Sequence, residues 1–324
     1  MHVSQLEWLV TVGVTIAVLL FDVVVIARRP HEPTMRECAI ALSIYVGLAG
    51  AFGIWVWNFH GSQFGLEFFA GWLTEYSLSV DNLFIFIIIM ASFNVPRKYQ
   101  QEALMVGIVL ALIFRGIFIA LGAVAINQFS WVFYVFGAFL VYTAWSIGRD
   151  TEHDDDAENA VVRFARTYLN TTDQWRGLKL YIKKDTKRLM TPMFLVILAL
   201  GTTDLLFALD SIPAIYGLTQ EPYLVFTANV FALMGLRQLY FLLGDLMKRL
   251  VYLSQGLAVI LAFIGVKLVL HALHENEVPF INGGEHVPVW EIPTLLSLGV
   301  IVVTLAITAA ASLYQTRGPQ SERQ

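Results

Sequence analysis

Nine stretches of about twenty apolar residues recur along this chain, far more than a soluble globule of this length could bury as helices. They are Trp8–Ala27, Glu37–Trp57, Leu66–Phe93, Ala103–Ile126, Phe129–Gly148, Pro192–Leu218, Pro222–Gly244, Val251–Ala272 and Pro293–Tyr314. Each is long enough to cross a hydrocarbon core of about 30 Å as a helix. Pro192, Pro222 and Pro293 open three of them, where a missing N–H costs little. Composition agrees: 57% of residues are hydrophobic and 14% charged, against about a quarter charged in soluble domains. The net charge of −4 offers no footprint for nucleic acid, and the single Cys38 excludes a disulfide framework or a multi-thiolate metal centre. The expected fold class is an all-α polytopic membrane protein with nine transmembrane helices.

The basic residues orient it. Eighteen of the 21 Lys and Arg fall on one side, including nine in the segment 149–191, while the N-terminus and the loops 58–65, 127–128, 219–221 and 273–292 contain none. The positive-inside rule then puts the N-terminus outside and the C-terminus in the cytoplasm, for a chain in the bacterial cytoplasmic (inner) membrane. Span one lacks the basic n-region and small-residue cleavage site of a signal peptide, so it is expected to stay as a span.

A motif recurs within the chain. Span three carries Thr74-Glu75, five residues, then Asp81-Asn82; span six carries Thr203-Asp204, five residues, then Asp210-Ser211. Span four has Arg115 and Gly122, span seven Arg237 and Gly244, and spans five and eight share the pairs Ala138-Phe139 and Ala262-Phe263. The offsets are 129, 122 and 124 residues. Spans 3–5 and 6–8 therefore read as two three-helix units of opposite topology, an inverted repeat of the kind transporters use around a midplane site. The chain divides as one membrane domain over 1–324: two peripheral spans in 1–65, repeat one in 66–148, a cytoplasmic linker in 149–191, repeat two in 192–273, and an outer loop, last span and tail in 274–324.

The repeated acids are costly where they stand. An Asp at the centre of a membrane helix costs about 2.5–3.5 kcal/mol on insertion scales. Glu75, Asp81, Asp204 and Asp210 must therefore be protonated, paired with the in-span bases Arg115, Arg237 and Lys267, or bound to a cation. Four acids against three bases leave one over. Residues six apart on a straight helix point about 120° apart, whereas those seven apart nearly align, so Asn82 stacks over Glu75 and Ser211 over Asp204. Pro213 is expected to kink or break span six just after Asp210, and unwinding there would let both of its acids turn inward. The donor set of Glu75, Asp81, Asn82, Asp204, Asp210 and Ser211 is all oxygen, which suits hard divalent cations such as Mn, Mg or Ca.

Other polar groups read more plainly. The run Asp150–Asp156 is a solvated stretch of the linker, although a metal-collecting patch is a second reading. Asp22 is a packing residue; Asp245 with Lys248 and Arg249 caps the inner interface. His271, His274, Glu275 and Glu277 form an ordinary polar outer loop, with an ion-release patch as the alternative.

Ser79-Val-Asp81-Asn82-Leu-Phe, Thr203-Asp204-Leu-Leu-Phe-Ala-Leu-Asp210-Ser211-Ile-Pro213-Ala and Gly235-Leu-Arg237-Gln-Leu-Tyr240-Phe resemble the TerC family of integral membrane proteins, its Alx-like members in particular. The resemblance covers about residues 35–315 and implies export of metal ions, chiefly manganese, by two inverted three-helix units. It places the family's acidic motif on Glu75, Asp81, Asn82, Asp204, Asp210 and Ser211. The tellurite that gave the family its name is an oxyanion, which carboxylates would repel.

The expected function is a secondary transporter, not an enzyme, with no cofactor and with Mn²⁺ or another hard divalent cation as its substrate. Moving a divalent ion out against an inside-negative potential costs about 4.6 kcal/mol per 100 mV, which exchange for two protons would cancel. No Gly-x4-Gly-Lys-Ser/Thr motif is present for ATP drive. The expected partners are the bilayer, the metal ion and protons as counter-ion, with no nucleic acid. The rivals are an exporter of a small organic cation or amino acid, a non-transporting scaffold, and an intramembrane aspartyl protease, whose Gly-x-Gly-Asp is absent.

Overall fold

The computed structural model describes residues 1, 3–28, 34–129, 131–149, 172, 175, 177, 179–184, 187–243, 251–276, 278–279 and 281–315. Ten helices lie among them: α1 (Gln5–Arg28), α2 (Met35–His60), α3 (Ser62–Ser92), α4 (Arg97–Gln128), α5 (Val132–Arg149), α6 (Pro192–Tyr216), α7 (Pro222–Met234), α8 (Leu236–Leu243), α9 (Leu253–His274) and α10 (Thr294–Gln315). Eight segments, with α7 and α8 counted as one, are long and apolar enough to cross a membrane, and α1 adds a shorter apolar stretch over Gln5–Val18. Nine spans were expected, so the described residues support eight outright. An antiparallel hairpin, β1 (Tyr181–Lys184) with β2 (Lys187–Met190), leads into α6 from the expected linker. The Asp150–Asp156 run and Asp245, Lys248 and Arg249 lie outside the described residues, as do Glu277 and the side chain of Asp22.

Local chemistry sets the helix starts. Thr34 and Glu37 form a reciprocal capping box at α2, with Glu37 N donating to Thr34 Oγ1 (3.2 Å) and Thr34 N to Glu37 Oε2 (2.9 Å). Thr34→Ala should cost about 1 kcal/mol, read as a lower melting temperature in detergent. Pro192 and Pro222 are the first residues of α6 and α7, as expected, while Pro293 stands one residue before α10.

Two departures from expectation matter for the site. Helix α6 runs through Pro213 to Tyr216, so the loss of the proline's own N–H bond to the preceding turn does not end the helix. The expected break after Asp210 is therefore absent. The seventh span is instead interrupted at Gly235, between α7 and α8. A Cβ there would stand 2.9 Å from Leu42 Cδ1, so the glycine lets α2 approach the interruption.

The closest packing joins α5 to α9, followed by α3 to α7, α4 to α6 and α2 to α3, with α3 also against α6. Gly137 and Gly265 make the α5–α9 approach possible, since a Cβ on either would lie within 3 Å of the other's carbonyl oxygen. Large apolar side chains such as Val10, Ile16, Ile117, Leu121, Val303 and Ile307 are exposed on the bundle's outer faces, the surface a lipid-facing protein presents. Inside are two apolar clusters. One holds Phe68, Ile119, Ile215, Leu224 and Ile264; the other holds Phe86, Leu104, Val196, Leu200 and Leu233. Along α3, α4, α6 and α7 the first cluster ends and the second begins at the same level, where the buried polar residues lie.

Candidate cation site

Helices α3, α4, α6 and α7 each bring polar groups to that level. Glu75 of α3, Arg115 of α4 and Asp204 of α6 are 0%, 1% and 2% exposed. Arg115 Nη1 donates to Glu75 Oε2 at 2.5 Å, and its Nη2 stands 3.7 Å from Asp204 Oδ1. One guanidinium thus bridges the two acids that the sequence motif makes equivalent. Asn229 of α7 lies beside Glu75. Asn82 and Ser211, seven residues beyond Glu75 and Asp204, are buried too, as their helical spacing requires.

The oxygens here are under-used. Among the described residues, Asp204 Oδ2, Thr74 Oγ1, Ser79 Oγ and Ser211 Oγ are buried without a hydrogen-bond partner, and Glu75 Oε1, beside the Asn229 amide, has none of normal geometry. Interiors normally satisfy such atoms, because each buried orphan costs about 1–3 kcal/mol. A layer of unsatisfied oxygen donors between two apolar clusters is chemically equipped to take a hard cation.

Not every nominated residue joins this cluster. Asp210 projects from another face of the unbroken α6 and accepts from Thr143 Oγ1 of α5 at 3.2 Å. The side chain of Asp81 lies outside the described residues. Arg237 and Lys267, expected to help balance the acids, do not stand beside Glu75 or Asp204. Arg237 in α8 lies near Cys38 of α2, and the charge neighbours of Glu75 and Asp204 among the described residues are Arg115 and, for Glu75, Asp204 itself. Among the described residues no three His, Cys, Asp or Glu side chains converge as a ready ion shell.

Lys267 belongs to a cavity of about 700 Å³ at the end of the bundle where α3 begins and α6 ends, the end expected to be outer. Glu67, Thr219, His271 and Glu291 line it with Lys267. Thr219 Oγ1 donates to Glu67 Oε2 (2.7 Å), and His271 Nδ1 pairs with Glu291 Oε1 (2.9 Å). Of the expected polar outer loop, His271 therefore turns into the bundle, whereas His274 is exposed. Tyr216 also lines the cavity, and its hydroxyl donates to Ile119 O (2.7 Å). Gly122 makes room for its ring, since a Cβ there would lie 2.8 Å from Tyr216 Cε2.

The sequence reading did not single out Glu67, Thr143 or Asn229. Glu67 and Asn229 carried a usable signal, being a carboxylate and an amide within apolar runs. Thr143 carried none, since a helical hydroxyl can bond its own backbone.

Comparison with known proteins fits this architecture. An uncharacterized membrane protein of Mycobacterium tuberculosis is 49% identical over 323 residues, covering 98% of this chain and 81% of the relative. One from Myxococcus xanthus is 35% identical over 311 residues, 96% of this chain and 92% of the relative. The chloroplastic thylakoid membrane protein TERC of Arabidopsis thaliana is 36% identical over 284 residues, 87% of this chain and 70% of the relative. No solved structure matches the chain. The family profile described as the integral membrane protein TerC family matches residues 60–320, and the chain belongs to that family.

Proposed function

We propose that this multi-pass protein is a secondary transporter that exports a hard divalent cation, manganese foremost, across the bacterial inner membrane by alternating access in exchange for protons. The observation that carries the reading is the buried Glu75–Arg115–Asp204 bridge, set among oxygens that have no hydrogen-bond partner among the described residues. A guanidinium between two carboxylates keeps the site near neutral while no cargo is bound, and a divalent cation supplies the same compensation when it arrives. Glu75, Asp204, Asn82 and Ser211 are the primary ligands in this account; Asp81 and Asp210 complete the path on the same two helices.

Helix packing supports the inverted repeat. Exchanging α3 with α6, α4 with α7 and α5 with α9 maps the α3–α7 contact onto α4–α6 and maps the α5–α9 and α3–α6 contacts onto themselves. A Cβ on Gly71 would stand 3.6 Å from Ala228 Cβ, and one on Gly107 would stand 3.6 Å from the Cβ of Leu200, 129 residues after Gly71. Gly137 abuts Val269 while Gly265 abuts Val141, which registers α5 with α9 at an offset of 128. That is one helical turn from the 124 of the Ala-Phe pairs and close to the 129 of α3 and α6.

The test is metal tolerance and cellular metal content in an exporter-deficient host. The protein should lower cellular manganese, and Asp81→Asn, Asp204→Asn and Asp210→Asn should each reduce that effect, Asp204→Asn most. If the unmodified chain lowers no divalent metal, the transport reading fails; if all three variants match it, the site is wrong.

A further inference from the structure

We infer that Arg115 and Arg237 take turns as the counter-cation of the Glu75–Asp204 pair, one in each end state of the transport cycle. This rests on the inverted-repeat reading given above. The two acids are equivalent by the 129-residue offset and the two arginines by the 122-residue offset, yet among the described residues only Arg115 bridges the acids in this conformation. The acids are symmetric and their partner is not, so the asymmetry must lie in how each half carries its arginine.

It does. Arg115 sits within α4, which runs unbroken from Arg97 to Gln128. The equivalent helix in the second half stops at Met234, is interrupted at Gly235 and resumes as α8, with Arg237 two residues past the interruption. The resumed segment packs against α2, and Arg237 lies near Cys38. The halves therefore differ just before the functional arginine. When two inverted units adopt unequal conformations, exchanging those conformations describes the opposite-facing state. In that state α7 and α8 form one helix that delivers Arg237 to the acids, and α4 bends beside Gly116 to withdraw Arg115.

This arrangement has a transport logic. Arginine stays protonated in proteins, so neither guanidinium can leave the acids by losing charge; each leaves only by moving. Cargo entering from one side displaces one arginine, and the other arginine displaces the cargo on the far side. Two bare buried acids, which would be costly, are exposed only in passing.

Labelling of introduced cysteines tests the exchange without added metal. In a Cys38→Ser background, the Leu218→Cys reporter lies in the outer cavity, and Ile89→Cys occupies the equivalent position 129 residues earlier. A membrane-impermeant maleimide is applied to cells and to inverted vesicles. Arg237→Gln should raise labelling of the Leu218→Cys reporter and lower that of the Ile89→Cys reporter, and Arg115→Gln should do the reverse. Each shift should be about tenfold, as expected for removing a charge-assisted hydrogen bond from one of two states. Arg115→Lys, which keeps the charge but loses the planar fork, should shift labelling in the same direction as Arg115→Gln by less. Shifts in the same direction for both arginines, or no shift with Arg237→Gln, overturn the proposal. If Arg115→Gln yields no folded protein, Arg237→Gln and Arg115→Lys decide. Manganese efflux by the parent chain is measured separately, so failure of the exchange is distinct from failure of the transport reading.

Discussion

The triple variant Glu75→Gln, Arg115→Met, Asp204→Asn should fold nearly as well as the unmodified protein and export nothing. Arg115→Met alone should be far worse folded. Removing one partner of a buried ion pair costs about 3–5 kcal/mol, because the remaining charges are left uncompensated, whereas replacing the whole set by neutral groups is often close to neutral. Here the remaining charges would be two fully buried carboxylates. The comparison separates the two roles of the cluster. If it were purely structural, the triple variant would keep function; as a cargo site, it loses function while keeping the fold. Thermal unfolding in detergent and metal content of the same cells supply both readouts.

The second large effect falls on the α5–α9 seam. Gly137→Ala should strongly reduce folded protein, and Gly265→Ala should do the same. A Cβ on Gly137 meets Gly265 O at 2.8 Å and Val269 N at 3.1 Å; one on Gly265 meets Gly137 O at 2.9 Å and Val141 N at 3.0 Å. These are backbone atoms, so the helices themselves must separate. Overpacking of this kind costs about 1–3 kcal/mol, and the upper end applies where no side chain can give way. Gly47→Ala in α2, with nothing within 4 Å of the new methyl, is the control. It should be neutral or stabilise by about 0.5–1 kcal/mol through helix propensity. Size-exclusion profiles and melting temperatures distinguish the three.

Much of this was readable in the sequence, for identifiable reasons. Apolar length marked the spans, because backbone in lipid must be helical when nothing else pairs it. Glu75, Asp204 and Arg115 stood out because charge within an apolar run is costly and because the motif recurs at a fixed offset. Helical spacing set Asn82 and Ser211 on the faces of Glu75 and Asp204, and both are buried with them.

What the sequence hid was mostly which way helices turn. Three in-span bases were equal candidates for pairing, and Arg237 lies in α8, just past the interruption at Gly235; a lone glycine in an apolar run does not announce a break. Pro213 suggested an unwound site, yet α6 tolerates the one missing N–H bond and continues to Tyr216. Because α6 continues, Asp210 keeps the 120° displacement from Asp204 that a straight helix imposes, and it meets Thr143 instead. Lys267 lies in the C-terminal half of α9, so it faces the cavity with Glu67 and Glu291 rather than Glu75 and Asp204. Glu67 escaped notice because its equivalent 129 residues on is Val196, and the repeat could not flag it.

The central claim is that the Glu75–Asp204 pair carries a divalent cation through the bilayer. Manganese uptake into inverted membrane vesicles tests it most directly, with an imposed pH gradient, acidic inside, as the driver. The unmodified protein should accumulate manganese, faster with the gradient than without it, while Glu75→Gln and Asp204→Asn at equal abundance should accumulate little above empty vesicles. Equal uptake by the unmodified chain and both variants would contradict the account.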